Sequence, residues 1–141
     1  MVKGDIYKIW LDNLLLVNIK CKNNKKETTM NKIKISVIMP SLNVSKYIKQ
    51  CLQSVLNQTL EGIEIICVDG GSTDGTLDII QQYVKKDNRV KLIHSDIKSY
   101  GYQMNLGIKE ACGDYIGIVE TDDYIQSDMY ERLYDVVVGN P

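Results

Sequence analysis

An α/β domain built on a mainly parallel sheet is the fold this sequence predicts, and two observations carry the prediction. From residue 33 onward, short apolar runs alternate with segments whose apolar residues recur at helical spacing. Polar turns follow the apolar runs and lead into those segments, as strand–helix–strand crossovers require. Ile35 to Met39 is a near-continuous apolar run that Pro40 should close. Ser45 is then placed to cap a helix whose Ile48, Cys51, Leu52, Val55 and Leu56 share one face. Ile63 to Val68 reads as a second buried strand, followed by a helix capped by Thr73 or Asp74 with Leu77, Ile80, Tyr83 and Val84 inward. Val90 to His94 is a third strand, and a helix from Tyr102 to Ala111 should end at Gly113. Tyr115 to Val119 forms the fourth strand, and a last helix runs from Asp128 to Val138.

The bulk numbers bound the function. At 141 residues the chain is one domain at most, large enough for a core, and 44% apolar with 25% charged residues marks it as globular. A net charge of -1, with no basic face beyond a Lys-rich N-terminal stretch, gives no reason to expect a nucleic-acid partner. His94 is the single histidine, so a His-based zinc site or a Ser-His-Asp triad has little material. Cys21, Cys51, Cys67 and Cys112 form no CxxC pair and read as reduced thiols of a cytoplasmic protein. The stretch Ile6 to Ile19 is interrupted by Asp12, Asn13 and Asn18 and is too short to span a membrane. Lys20 to Lys34 carry six lysines and read as a solvated linker, so residues 1–32 are expected to form an extension ahead of the domain, which occupies 33–141.

Strand order now places chemistry. All strands of a parallel sheet point their C-terminal ends to one edge, where ligands bind in open α/β folds. Pro40 to Asn43, Asp69 to Ser72, Ser95-Asp96 and Glu120 to Asp123 should therefore converge. Glu120, Asp122 and Asp123 end an apolar strand; such carboxylates repel unless a cation or proton joins them. An all-oxygen set suits Mg²⁺ or Mn²⁺, and Mg²⁺ commonly takes phosphate oxygens as further ligands. An acidic N-cap for the helix near Asp128 is the alternative. Asp69 could accept a hydrogen bond from an imide N–H or a ribose hydroxyl, or could build an Asx-turn with Gly70-Gly71-Ser72. That turn is no Walker loop, because Thr76 stands where the phosphate-binding lysine would be. Lys98 is either a point charge for phosphates or a solvated loop lysine, and Asn105 either turns to the rim or faces water.

At these residues the chain resembles the nucleotide-binding half of the family 2 glycosyltransferases, which have the GT-A fold. Ile35 to Asn43 resembles the opening strand and P-x-x-N turn; Ile65 to Thr76 resembles V-D-D-G-S-x-D-G-T. Gly101 to Ile108 resembles the segment written A-R-N-x-G, and Gly113 to Asp123 resembles G-E-Y-I followed by the D-x-D-D metal motif. The resemblance spans residues 33 to 138. It implies that Asp69 contacts the base, typically uracil, and that Pro40, Ser41 and Asn43 line the nucleotide pocket. Asp122 would hold the ribose, Asp122 and Asp123 the divalent metal (Mg²⁺ or Mn²⁺), and Lys98 would face the diphosphate. Three departures stand out: Gly70 replaces the second aspartate, Glu120 replaces the first acid of the metal motif, and Met104 replaces the arginine before Asn105.

The implied reaction is inverting transfer of a sugar from a nucleotide-diphosphate donor, a UDP-sugar first of all, to an acceptor hydroxyl. The implied acceptor is a glycan, lipid-linked or a polysaccharide of the cell wall, and peripheral membrane association of a full-length protein is left open. The acceptor half and the general base are expected after Pro141, which would leave an apolar surface exposed and favour self-association. A non-catalytic nucleotide-binding module lacking that half is the alternative reading. A nucleotidyltransferase is disfavoured by Pro-Ser-Leu-Asn after the first strand, and a nicotinamide oxidoreductase by the lack of GxGxxG.

Overall fold

In the computed structural model, which describes residues 8–11, 14–18 and 32–139, two strands that are buried at every residue lie side by side in the interior of the sheet. Two strands precede the expected ones, β1 (Lys8–Leu11) and β2 (Leu14–Asn18). Then follow β3 (Ile35–Ser41), α1 (Ile48–Leu56), β4 (Ile63–Asp69), α2 (Thr76–Lys86) and β5 (Val90–His94). The chain continues through α3 (Tyr100–Glu110), β6 (Tyr115–Ile118) and α4 (Met129–Gly139). The sheet order is β1-β2-β6-β3-β4-β5. Strands β6, β3, β4 and β5 are mutually parallel, as expected of the α/β class, whereas β2 pairs antiparallel with β6 and with β1. Residues 8–11 and 14–18, which the sequence assigns to an extension, thus lengthen the sheet by two strands.

Every residue of β3 and β4 is buried, because side chains alternate between two covered faces. Val37, Met39, Ile65 and Cys67 pack with Ile48, Cys51, Leu52 and Val55 of α1, Ile80 of α2, and Tyr130 and Leu133 of α4. Ile38, Ile66 and Val68 face the other way, against Met104, Leu106 and Ile108 of α3. No helix among the described residues is long and apolar enough to cross a membrane.

Pro40 does not close β3, which continues to Ser41 in register with Asp69. The backbone of Ile38 bonds toward β6, accepting from the Val119 N–H at 3.2 Å, so that of Pro40 faces the same side. The β6 ladder ends at the Ile38–Ile118 pair, so the N–H that proline lacks would find no strand partner. Glu64 is 2% exposed inside β4, a buried charge that the apolar reading of the strand did not resolve. Ser36 Oγ donates to it at 2.5 Å, the Cys112 N–H at 2.7 Å and Lys91 Nζ at 2.8 Å, so the charge is fully partnered.

The helix starts depart from expectation. Ser45 is not the cap of α1: the N-cap is Tyr47 without a side-chain bond, and the Ser45 N–H donates to Asp74 Oδ2 at 3.0 Å. Ser99 caps α3, which starts two residues before the expected Tyr102. Val84, expected inward, is 36% exposed, because the buried stripe of α2 runs through Thr76, Ile80 and the half-buried Ile79 and Tyr83. Gly113 does not terminate α3, which ends at Glu110 with Ala111 as its C-cap.

Candidate functional site

The turns after β3 and β4 form one hydrogen-bonded unit. Asp69, 1% exposed, accepts from the Gly71 and Ser72 N–H groups at 2.9 and 2.8 Å on Oδ2 and from Ser72 Oγ at 2.5 Å on Oδ1. Its carboxylate therefore shapes the turn that the Asp-Gly-Gly-Ser spelling suggests. Ser72 Oγ in turn accepts from the Asn43 N–H at 2.9 Å, and Asn43 Oδ1 accepts from the Thr73 N–H at 2.8 Å. Asn43 adopts φ 52°, a left-handed conformation that asparagine tolerates better than most residues. The Gly70 N–H donates to Ser41 O at 2.8 Å, closing the seam between the two strands. Pro40, Ser41, Asn43 and Asp69 thus come together as the sequence expects.

A second tie lies outside the first. Asp74 Oδ1 accepts from Thr76 Oγ1 at 2.6 Å and the Thr76 N–H at 3.1 Å, while Oδ2 holds the Ser45 N–H. Thr76 Oγ1 accepts from the Val44 N–H at 2.9 Å. The Thr76 hydroxyl first, and the other donors after it, hold the Asp74 carboxyl well below the usual carboxylate range. A depressed folded-state pKa stabilises the fold above the unfolded value and loses that contribution as pH falls toward the folded one. The stability difference between wild type and Asp74→Ala is therefore expected to be constant above about pH 5 and to shrink below it. Urea titrations at stepped pH measure this; a difference independent of pH would show that the carboxylate charge contributes nothing.

Lys98 is exposed and makes no ion pair among the described residues. It lies over the second turn, with its Cε 3.6 Å from where a Cβ on Gly71 would stand. An ammonium with no carboxylate partner among the described residues is a point charge suited to anionic oxygens. Asn105 is exposed on α3 and faces water.

The lip after β6 is tied to the same edge, because the buried Thr121 Oγ1 donates to Pro40 O at 3.0 Å. Glu120 accepts from Tyr100 Oη at 2.7 Å, and burial with that bond pushes the tyrosine up to about 12. Asp122 and Asp123 are exposed, and no described side chain donates to them. Beneath the lip, Cys51 donates to Glu120 O at 3.5 Å. Its thiol is pushed up to about 12, by burial first and then by the charges of Asp123, Asp122 and Glu120. The three carboxylates therefore act on one point of the core, although no group of three metal-type side chains forms a ready ligand set among the described residues. Two partnerless carboxylates fit an Mg²⁺-type ion that draws its other ligands from phosphate and water.

Sequence reasoning missed Gln103, which donates through Nε2 to Ser41 O at 3.0 Å and to Val68 O at 2.8 Å. Its proximity to the two turns depends on α3 crossing the sheet, which local spelling does not show. A cavity of about 640 Å³ at the opposite strand ends, between Lys32, Glu61, Arg89 and Lys91, is a poorer site. Arg89 pairs with Asp87 and Lys91 with Glu64, both at 2.8 Å.

The chain matches known proteins over most of its length. The family described as glycosyl transferase family 2 matches residues 36–141. The glycosyltransferase GlyG of Streptococcus pneumoniae is 43% identical over 115 residues, which cover 75% of this chain and 38% of that protein. The poly(ribitol-phosphate) beta-glucosyltransferase of Bacillus spizizenii is 45% identical over 107 residues, covering 73% of this chain and 17% of that one. The crystal structure of S. aureus TarS 1-349 in complex with UDP-GlcNAc superposes with a TM-score of 0.71 at 32% identity, over 76% of this chain and 32% of that one. The chain spans well under half the length of these relatives. The expected GT-A arrangement is thereby the observed fold. Since the family match runs through the central sheet and all four turns at its C-terminal edge, the chain belongs to glycosyl transferase family 2.

Proposed function

We propose that the chain is the donor half of a glycosyltransferase that binds a nucleotide-diphosphate sugar, with uridine as its nucleoside, for inverting transfer to an acceptor hydroxyl. The observation that carries the reading is the junction of two elements at one sheet edge. One is the interlocked Ser41–Asn43 and Asp69–Thr73 turns, and the other is the lip bearing the partnerless Asp122 and Asp123. TarS, similar over most of this chain, has been crystallised with UDP and with UDP-GlcNAc, which supports a uridine donor.

In this reading the Pro40 to Asn43 and Asp69 turns hold the nucleoside, and Lys98 neutralises part of the diphosphate charge. Asp122 and Asp123 hold Mg²⁺ or Mn²⁺, which when bound acts as a Lewis acid on the diphosphate leaving group. Tyr100 Oη occupies Glu120 Oε1, so in this reading the ion is assigned to the two aspartates. Inversion also requires a base near the attacking hydroxyl. We assign that base, and the wall that recognises a lipid-linked or polysaccharide acceptor, to the length of the relatives that this chain does not span.

Calorimetry of UDP binding in Mn²⁺, in Mg²⁺ and in EDTA tests the reading. Affinity should be at least about tenfold higher with either metal, since a divalent ion offsets carboxylate–diphosphate repulsion. Equal affinity in EDTA would remove the metal from the site.

A further inference from the structure

Gln103 has one polar atom to which no described residue donates. The residue is 4% exposed, and both amide hydrogens are taken by Ser41 O at 3.0 Å and Val68 O at 2.8 Å. Only a nitrogen can face two carbonyl oxygens, so these bonds also fix which end of the amide is Oε1. No described residue donates to Oε1. Nor is it sealed from solvent, because Tyr130 Oη is the fully buried orphan among the described side chains.

Gly70 is what admits this amide. A Cβ at position 70 would stand 3.0 Å from Nε2, 3.1 Å from Cδ and 3.2 Å from Oε1, so the flat face of the amide rests where a side chain would be. The two positions depart from the resembled motifs together. Residue 70 is glycine where V-D-D-G-S has its second aspartate, and residue 103 is glutamine where A-R-N-x-G has its alanine. A carboxylate at 70 and a glutamine at 103 would compete for one space. Here that space is filled from α3 with a neutral acceptor.

The neighbouring acceptor is already engaged. Asp69, the residue expected to read the base, takes three donors from its own turn. At the junction of the two turns, Gln103 Oε1 is therefore a side-chain acceptor to which no described residue donates. We propose that Gln103 reads the nucleobase, its Oε1 accepting a hydrogen bond from the ring N–H of uracil. This rests on the uridine-donor reading above. With its N–H groups held by two strand carbonyls, the amide cannot turn over to become a donor. It should then refuse a pyrimidine whose ring nitrogen at that position is itself an acceptor, as in cytosine, or is methylated.

The test is calorimetry on the 141-residue chain in Mn²⁺ with UDP, CDP and N3-methyl-UDP. Wild type should prefer UDP over both analogues by about tenfold, the scale of one buried hydrogen bond together with its unmade counterpart. Gln103→Met keeps the length of the side chain but removes the acceptor, and should bind the three nucleotides within about twofold of one another. Undiminished preference for UDP in folded Gln103→Met overturns the assignment. If that variant does not fold, Gly70→Ala decides: its methyl crowds the amide without deleting it, and an unchanged preference in the folded variant overturns the assignment equally. UDP binding by wild type with no selection against N3-methyl-UDP overturns it while leaving the donor site standing. A wild type that binds no uridine nucleotide overturns both.

Discussion

Alanine at Asp123, or at Asp122, should abolish the metal-dependent part of UDP binding and leave the protein without metal as stable as wild type, or more so. Both side chains are exposed and neither receives a hydrogen bond from a described side chain, so the fold uses no carboxylate at either position. The turn bond there, from the Asp123 N–H to Glu120 O at 3.0 Å, is a backbone bond that alanine retains. Glu120, Asp122 and Asp123 lie within four residues of one another, and removing one of several like charges relieves their mutual repulsion. Losing a direct metal ligand should lower metal affinity by at least on the order of 10–100-fold, the range found when only an outer-shell partner is lost. Calorimetry with and without Mn²⁺ reads the first effect, and melting in EDTA reads the second. A fall of several degrees in EDTA would show that the carboxylates cap a turn for α4 rather than await a cation.

The central sheet was legible because β3 and β4 are largely apolar runs, and a run of that kind buried on both faces has few other uses in a chain this size. The converging rim followed from strand direction alone. The helix starts were not legible to the same degree. Ser45 looks like a cap by local rules, but the backbone there is held by Asp74, which is 29 residues away. The hairpin β1–β2 is absent from the sequence reading, since its strands owe their place to pairing with β6 about a hundred residues later. At the site, Asp69 could be read two ways from its spelling, and the structure shows the turn-building role in full. Gln103 could not be read at all from local pattern. It matters because Gly70, 33 residues earlier, leaves room for it.

Gly113→Ala should be among the most destabilising single changes available to this domain, for a reason unlike the helix-ending role its position suggests. Gly113 is not among the glycines with positive φ, so its backbone does not need a glycine for conformational freedom. What it needs is space. A Cβ there would lie 2.6 Å from the Ser36 backbone N, 2.7 Å from Ser36 Oγ and 2.9 Å from the Ile35 carbonyl carbon, and two of those three atoms belong to the backbone of central strand β3. That strand cannot give way, so the start of β6 must move. The movement breaks the bond from the Gly113 N–H to Ser36 Oγ at 2.8 Å, and with it the relay from Ser36 to the buried Glu64. Overpacking costs about 1–3 kcal/mol, and leaving a buried polar group short of a partner about as much again. A sum of about 2–6 kcal/mol is a large share of the roughly 5–15 kcal/mol that holds such a domain folded. Gly101→Ala is the matched control: it lies in α3 with nothing within 4 Å of the added methyl, and should stabilise by up to about 1 kcal/mol through helix propensity. Urea unfolding of the two variants beside wild type gives opposite signs if the close approach of Gly113 to β3 is what ties β6, and the lip it carries, to the sheet. Equal behaviour of the two would show that β6 can shift without loss.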